Sequence, residues 1–119
     1  MKKVFYLSTC TTSKRIIQEL NLKALEFEFQ DIKFETITED QLDLMHKMSG
    51  SYEGLFSKIA RKYKELGLKE KALVEADYKA YILEEYTFLK RPVIFFNDSI
   101  FIGNSKKVVE AASQMLSIS

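Results

Sequence analysis

The segment VFYLSTCTTSKRIIQEL, residues 4–20, decides the fold of this chain. Its first four residues are apolar and predict a short buried strand. The polar residues 8–13 predict a loop, after which Ile16, Ile17 and Leu20 recur at helical spacing. The only cysteine of the sequence, Cys10, therefore stands between the end of a strand and the start of a helix.

The residues that follow extend this unit. Phe27, Phe29 and Ile32 alternate with Glu28 and Gln30, which is the period of a strand. A strand, a helix and a second strand form a βαβ unit, and such units favour parallel pairing of the two strands. The N-terminal part of the chain is therefore predicted to begin a sheet.

A helical region comes next, and we expect it to span about residues 39–89. Thr38 and Gln41 are spaced as a capping box at the start of a first helix, which Gly50 ends. A second helix is expected from apolar residues at helical spacing, namely Leu55, Ile59, Tyr63 and Leu66. A third is expected over about residues 71–89, with an inward face of Ala76, Ala80, Leu83 and Phe88.

The C-terminal part returns to strand patterns. Pro92, the only proline, opens the apolar run 93–96, and the Asn97-Asp98 turn leads into a second run at 99–102. Ser105 is placed to cap a final helix. The order β-α-β, three helices, β-β-α predicts an α/β fold with a mixed sheet and a helical insertion. We expect residues 1–119 to form a single domain.

Composition narrows the class of protein. A length of 119 residues suits one compact domain. Eighteen basic and seventeen acidic residues give a net charge of +1, which argues against a general nucleic-acid binder. No apolar run reaches the length of a membrane span, and the run at 4–7 is too short for a signal-peptide core. We expect a cytoplasmic protein whose thiol stays reduced.

The position of Cys10 favours a reactive thiol. A thiol reacts as its thiolate, and the free amides at the start of a helix favour an anion. Lys14 and Arg15 add positive charge nearby, and the hydroxyls of Thr12 and Ser13 can donate hydrogen bonds. The alternative is that Cys10 serves only as a small buried apolar residue. A single cysteine excludes an internal disulfide and a multi-cysteine metal site, and we expect no metal.

Four motifs resemble those of one known family, the arsenate reductases and Spx-type regulators. Cys10–Lys14 resembles the C-x-x-S/C-R/K loop of that family, and Leu89–Ile94 resembles its R-P-I/V motif. Tyr63–Leu68 resembles the end of its mid-chain helix, and Ile102–Asn104 resembles the loop after its last strand. The resemblance covers essentially the whole chain. It implies a thioredoxin (glutaredoxin-like) fold with a helical insertion.

The resemblance also implies roles for individual residues. Cys10 is expected to be catalytic, and the Arg91–Pro92 peptide is expected to be cis and next to it, with Arg91 binding an anion. The expected substrate-binding residues are Thr11, Thr12, Ser13, Lys14, Arg91 and Pro92. No cofactor is implied. The expected reductant is an external thiol such as glutathione, or the protein thioredoxin or glutaredoxin.

The chain departs from the family at the arginines that bind arsenate. Guanidinium groups bind oxyanions through two hydrogen bonds, and the family pattern has three of them. Only Arg91 matches here, because Lys58 lies near the second position and Asn104 near the third. We expect weak or no arsenate reduction, with Lys14 and Lys58 compensating in part. Ser13 replaces the second cysteine of a C-x-x-C switch, which excludes an internal disulfide switch.

Three functional interpretations follow from these residues. The first is a thiol-dependent oxidoreductase in which Cys10 attacks an oxyanion or a mixed disulfide and an external thiol completes the turnover. The second is a non-enzymatic regulatory domain of the Spx type that binds another protein. The third is a domain whose thiol is vestigial. The sequence favours the first, and it leaves the substrate and the oligomeric state open.

Overall fold

The structure, a computed structural model, describes residues 1–117. The strands and α-helices in chain order are β1 Lys2–Tyr6, α1 Thr11–Glu19, β2 Glu28–Asp31, α2 Glu39–Ser49, α3 Arg61–Glu65, α4 Glu75–Glu84, β3 Val93–Phe96, β4 Ser99–Ile102 and α5 Lys106–Ser117. Short 3-10 helices cover Glu53–Leu55, Leu68–Glu70 and Tyr86–Phe88. The predicted order of elements and the α/β class are confirmed.

The chain forms two compact units. One combines Met1–Thr36 with the chain from Arg91 onward, and it holds the sheet, α1 and α5. The other, Ile37–Lys90, holds α2, α3, α4 and the 3-10 helices. The expectation that residues 1–119 form one domain stays a prediction.

The four strands form a mixed sheet in the order β2-β1-β3-β4. Strand β1 is parallel to β2 and antiparallel to β3, and β3 is antiparallel to β4. The parallel pairing predicted from the βαβ unit is therefore confirmed. In the register of the sheet, Phe5 of β1 stands beside Val93 of β3, which stands beside Ile102 of β4. On the other side of β1, Tyr6 pairs with Asp31 at the end of β2.

One face of the sheet is covered by α1 and α5. The buried side chains of this core are Val4, Ile16, Leu20, Leu22, Phe27, Ile94, Phe96 and Ala112. Full burial of each large apolar side chain contributes about 1.5–3 kcal/mol relative to exposure. Packing against the sheet therefore fixes α1, and with it the loop that precedes α1.

Strand β2 differs from the predicted alternation. Gln30 is buried although it is polar, and Phe29 is half-buried against Tyr6 with ring centroids 5.8 Å apart. The side-chain amide of Gln30 donates a hydrogen bond of 3.0 Å to the Glu35 carbonyl. That hydrogen bond offsets the cost of removing the amide from water.

The second predicted helix, from Leu55 to Leu66, is wrong as a continuous helix. The 3-10 helix ends at Leu55, and Phe56 then has extended backbone that forms an isolated bridge with Leu89. The Ser57 amide donates to the Phe88 carbonyl at 2.7 Å, and the Lys90 amide donates to the Leu55 carbonyl at 2.8 Å. These hydrogen bonds replace helical ones, and they leave the side chain of Ile59 92% exposed.

The third predicted helix is shorter than expected, and it buries a different face. Helix α4 covers Glu75–Glu84, and its buried residues are Tyr78 and Ile82, whereas Ala76 and Ala80 are exposed. The ring of Phe56 lies 5.0 Å from that of Tyr78 and 4.8 Å from that of Phe88. Packing of the aromatic rings contributes more stability than burial of the methyl groups of Ala76 and Ala80 would. Helix α4 therefore turns Tyr78, and not the two alanines, toward the interior of its unit.

The predicted helix boundaries that depend on local capping are confirmed. The Thr38 hydroxyl accepts from the Gln41 amide, and the Gln41 side chain accepts from the Thr38 amide, both at 3.1 Å. Gly50 ends α2 with a φ of 87°, which glycine adopts without a steric cost. The Ser105 hydroxyl accepts from the Val108 amide at 3.2 Å in the first turn of α5.

The Thr38 cap gives a prediction about stability. We expect Thr38→Ala to lower the free energy of unfolding by about 1 kcal/mol, because an amide in the first turn of α2 loses its acceptor. Urea denaturation measures this change. Thr38→Ser keeps the hydroxyl and serves as the control, and equal stability of the two variants would contradict the role given to the cap.

Candidate active site

Three loops meet at one edge of the sheet. The loop that carries Cys10 follows β1, the Arg91–Pro92 dipeptide precedes β3, and Gly103 and Asn104 follow β4. The register of the sheet places these three strand ends side by side. A hydrogen bond of 2.9 Å from the Gly103 amide to the Pro92 carbonyl connects two of the loops. The first unit therefore gathers residues that are far apart in sequence around the thiol.

Cys10 is the N-cap residue of α1. Its backbone is extended, with φ −99° and ψ 106°, and its sulfur accepts a hydrogen bond from the Ser13 amide at 3.5 Å. Its amide donates to the Leu7 carbonyl at 2.9 Å, and its carbonyl accepts from the Lys14 amide at 3.2 Å. The sulfur thus occupies the place where a cap oxygen of Ser, Thr, Asp or Asn usually stands. This position favours the negatively charged form of the thiol.

The pKa of Cys10 reflects a competition. Partial burial raises the pKa of the thiol, but the amide and hydroxyl of Ser13, together with the hydrogen bond and charge of Arg91, outweigh burial and hold the pKa below its usual value. The thiol is only partly buried, so a reactant can reach it. The lowered pKa and the accessibility are the two properties that a nucleophilic cysteine needs.

The hydroxyl of Ser13 has an unusual environment. Ser13 is fully buried, and within residues 1–117 its Oγ has no partner at standard hydrogen-bond geometry. It still favours the Cys10 thiolate, but less than the Ser13 amide does. A buried hydroxyl in this state is available to an atom of a bound molecule.

The Arg91–Pro92 dipeptide precedes β3, whose first residue pairs with Phe5 near the end of β1. The Arg91–Pro92 peptide bond is cis, as predicted, and Pro92 is buried. Arg91 is half-buried, and its guanidinium is within hydrogen-bond reach of the Cys10 sulfur. The predicted proximity of Arg91 to the thiol is therefore observed.

The other residues predicted for the site are more exposed. Thr11 and Lys14 are exposed at the start of α1, Thr12 is half-buried, and Asn104 is exposed in the turn after β4. The Lys14 amide donates to the Cys10 carbonyl, so it is not one of the free amides at the start of α1 that can face the sulfur. The predicted roles in substrate binding of all these residues, and of Ser13, Arg91 and Pro92, stay predictions.

Lys58 belongs to the other unit, where its charge is balanced by a carboxylate. Its Nζ lies 2.7 Å from Oε2 of Glu53, and this hydrogen bond raises the pKa of Lys58. The Tyr78 hydroxyl donates to the same oxygen at 3.3 Å. A role of Lys58 as a second anion-binding group stays a prediction. An anion would have to compete with the Glu53 carboxylate for the Lys58 ammonium group.

The only histidine, His46, makes its contacts within the same unit. Its ring stacks on Tyr52 at 4.0 Å, and its Nε2 lies 3.9 Å from Oε1 of Glu75. Within residues 1–117, no group of three His, Cys, Asp or Glu side chains is arranged to hold a metal ion. In the same residues, no helix combines the length and apolar character that a membrane span requires.

Asp31 is a neighbour of the site that the sequence reasoning does not identify. Its Oδ1 accepts from the Ser8 amide at 3.3 Å and from the Lys33 amide at 3.2 Å. The available signal was a carboxylate at the end of the predicted strand parallel to β1. Parallel strands end at the same edge of a sheet, so this carboxylate had to lie near the loop of Cys10.

Comparison with solved structures supports the fold. An arsenate reductase from Vibrio cholerae has a TM-score of 0.75 at 17% identity, with 99% of this chain and 98% of that chain covered. An arsenate reductase (ArsC) related protein from Brucella melitensis has a TM-score of 0.71 at 20% identity, covering 92% of each chain. A Staphylococcus aureus protein has a TM-score of 0.75 at 25% identity, covering 93% of this chain and 97% of that one.

The fold is therefore the thioredoxin-like α/β fold predicted from the sequence, with a mixed four-stranded sheet. No curated protein matches the sequence. The model of one protein family, described as the ArsC family, matches residues 5–112, which is most of the chain. On that match, the chain belongs to the ArsC family.

Proposed function

We propose that this protein is a thiol-dependent oxidoreductase whose single catalytic group is the Cys10 thiolate. One observation carries the proposal: the sulfur caps α1 through the Ser13 amide and lies within reach of the Arg91 guanidinium, so that its pKa is lowered. Membership of the ArsC family supports thiol chemistry in general. The single-cysteine mechanism is our own inference.

The proposed reaction is a thiol–disulfide exchange in two steps. The Cys10 thiolate attacks the glutathionyl sulfur of a mixed disulfide, forming a Cys10–glutathione disulfide and releasing the other thiol as its thiolate, which takes a proton from water. A second glutathione, as its thiolate, then attacks the glutathionyl sulfur. This step regenerates the Cys10 thiolate and releases glutathione disulfide. The net result is that one mixed disulfide and one glutathione are converted into the free thiol and glutathione disulfide.

An external thiol is needed because Cys10 is the only cysteine of the chain. Ser13 occupies the position of a resolving cysteine, and a hydroxyl does not form a disulfide. We propose glutathione as the reductant, with thioredoxin or glutaredoxin as the protein alternatives. Reduced thiols of this kind prevail in the cytoplasm, which is the compartment we propose.

Arg91 and Ser13 are suited to hold the reactant. A guanidinium binds carboxylates and other oxyanions through paired hydrogen bonds, and glutathione carries two carboxylates. The buried Ser13 hydroxyl offers a further donor beside the sulfur. An oxyanion that is attacked directly by Cys10 would use the same two groups, and it is the second substrate class that we propose.

The test of this function begins with glutathione disulfide. We expect wild-type protein to gain one glutathionyl group, detected by intact-mass spectrometry, and glutathione to remove it. We also expect turnover of the mixed disulfide of glutathione with 2-mercaptoethanol. Cys10→Ser should abolish both, because an alcohol is a far weaker nucleophile than a thiolate. A wild-type protein that is neither modified nor active would contradict the proposal and favour the non-enzymatic regulatory interpretation.

The pH dependence of alkylation gives a second prediction. The rate of alkylation by iodoacetamide should rise with pH as the thiol ionises. It should level off at a lower pH than the rate for a free cysteine, whose pKa is about 8.5. Arg91→Ala and Ser13→Ala should both move this rise to higher pH, because each removes a group that favours the thiolate.

Lys14→Ala is the matched control, since it removes a charge that is nearby in sequence but exposed. Its profile should coincide with that of the wild type. A shift with Lys14→Ala and none with Arg91→Ala would show that Lys14, and not Arg91, lowers the pKa of the Cys10 thiol.

The third prediction concerns arsenate. We expect weak or no arsenate reduction with glutathione and glutaredoxin, because Lys58 is bound by Glu53 and Asn104 carries no charge. Turnover is measured as arsenite release, with the mixed-disulfide assay as a positive control. Rapid arsenate reduction would show that Arg91 suffices for oxyanion binding without the two missing arginines.

A further inference from the structure

The side chain of Asp31 is hydrogen-bonded to the turn that precedes Cys10, the N-cap residue of α1. Asp31 ends β2 and pairs with Tyr6, the last residue of β1, so its side chain lies at the same sheet edge as the loop that follows β1. Its Oδ1 accepts a hydrogen bond of 3.3 Å from the Ser8 amide. The amide and the side chain of Ser8 both lower the pKa of Asp31, so they favour its ionised form. The hydrogen bond from the amide attaches the turn to the carboxylate.

The attached turn is short and directly precedes the thiol. It is closed by the hydrogen bond of 2.9 Å from the Cys10 amide to the Leu7 carbonyl, with Ser8 and Thr9 at its two central positions. Thr9 is exposed and Ser8 is only half-buried, so apolar packing does little to hold these two residues. The carboxylate of Asp31 supplies the anchor that packing does not. It is itself fixed by the Lys33 amide at 3.2 Å.

The position of the sulfur is sensitive to this turn. The distance from the Ser13 amide to the sulfur is 3.5 Å, and a hydrogen bond weakens steeply as its geometry departs from alignment. A small movement of Ser8 and Thr9 moves Cys10, because the turn and the first helical residue are contiguous. Loss of the amide contact would then remove the largest of the groups that favour the thiolate.

We propose that Asp31 is a positioning residue, whose carboxylate anchors the Ser8–Thr9 turn and thereby holds the Cys10 sulfur against the Ser13 amide. This inference deepens the proposed function and rests on it, because it matters for catalysis only if the thiolate is the reacting group. Nothing in the motifs of the chain points to Asp31. The role follows from the register of β1 with β2 and from the hydrogen bonds of the turn.

The negative charge of Asp31 and its anchoring of the turn have opposite effects on the pKa of Cys10, which makes the proposal testable. A carboxylate near a thiol opposes the formation of a second negative charge, so removing that charge alone lowers the pKa of the thiol. Removing the anchor raises the pKa, because the sulfur loses its amide donor. The sign of the change in a variant therefore separates the two effects.

The experiment measures the pH dependence of iodoacetamide alkylation in three variants of Asp31. Because Cys10 is the only cysteine, the rate reports on this thiol alone. We expect Asp31→Ala to move the profile to higher pH and to slow alkylation near neutrality. Asp31→Asn keeps an oxygen acceptor at the same place, and it should restore the wild-type profile or move it to slightly lower pH. Asp31→Glu keeps the charge but displaces it, and it should behave like the alanine variant.

A matched control is Asp98→Ala, which removes an exposed carboxylate in the turn between β3 and β4. It should leave the alkylation profile unchanged. If Asp31→Ala does not fold, Asp31→Glu still decides the question, because loss of positioning moves its profile to higher pH than that of the wild type, whereas an effect of charge alone leaves its profile at the wild-type pH. A profile that moves to lower pH in Asp31→Ala, or stays unchanged in the alanine and glutamate variants, overturns the proposal.

The outcome is independent of the test of the proposed function. Alkylation needs no disulfide substrate, so a shifted profile in Asp31→Ala supports the anchoring role even in a protein that reduces no mixed disulfide. Conversely, turnover by the wild type with no effect of Asp31 on the profile would retain the function and reject the anchor.

Discussion

The central position of β1 is the constraint on which the candidate site depends. Because β1 pairs with β2 on one side and β3 on the other, its register fixes which residues of both neighbours stand at its end. The loop of Cys10, the Arg91–Pro92 dipeptide and Asp31 are brought together by this pairing. A slip of the register by one residue would turn every side chain of the strand to the opposite face and separate these groups. The core packed on α1 and α5 prevents such a slip.

At the end of β1, two opposing effects set the state of the thiol. Burial disfavours a thiolate, whereas the Ser13 amide, the Ser13 hydroxyl and Arg91 favour it. The favourable groups come from two directions, the first turn of α1 and the start of β3. Neither segment creates the site alone, so the reactivity of Cys10 is a property of the folded first unit.

The sequence predicted what local patterns determine. The strand, loop and helix around Cys10 and the capping box at Thr38 were readable from short motifs, whereas the cis bond before Pro92 was implied only by the family resemblance. The break after Leu55 was not readable, because it depends on hydrogen bonds between Ser57 and Phe88, which are distant in sequence. The buried face of α4 was also missed, since it is set by rings packing around Phe56. Around the thiol, Lys14 and Arg15 were nearer in sequence, yet the charge that favours the thiolate is that of Arg91.

The use of sulfur as a helix cap has a consequence for redox equilibrium. A disulfide at Cys10 carries no negative charge, so it caps α1 less well than the thiolate does. The reduced form is therefore stabilised relative to the oxidised one, which raises the reduction potential of any disulfide formed at this position, by about 30 mV for each 1.4 kcal/mol of preference. A thiolate stabilised in this way is also a good leaving group. In the reaction proposed above, the first turn of α1 therefore favours release of the glutathionyl group from Cys10.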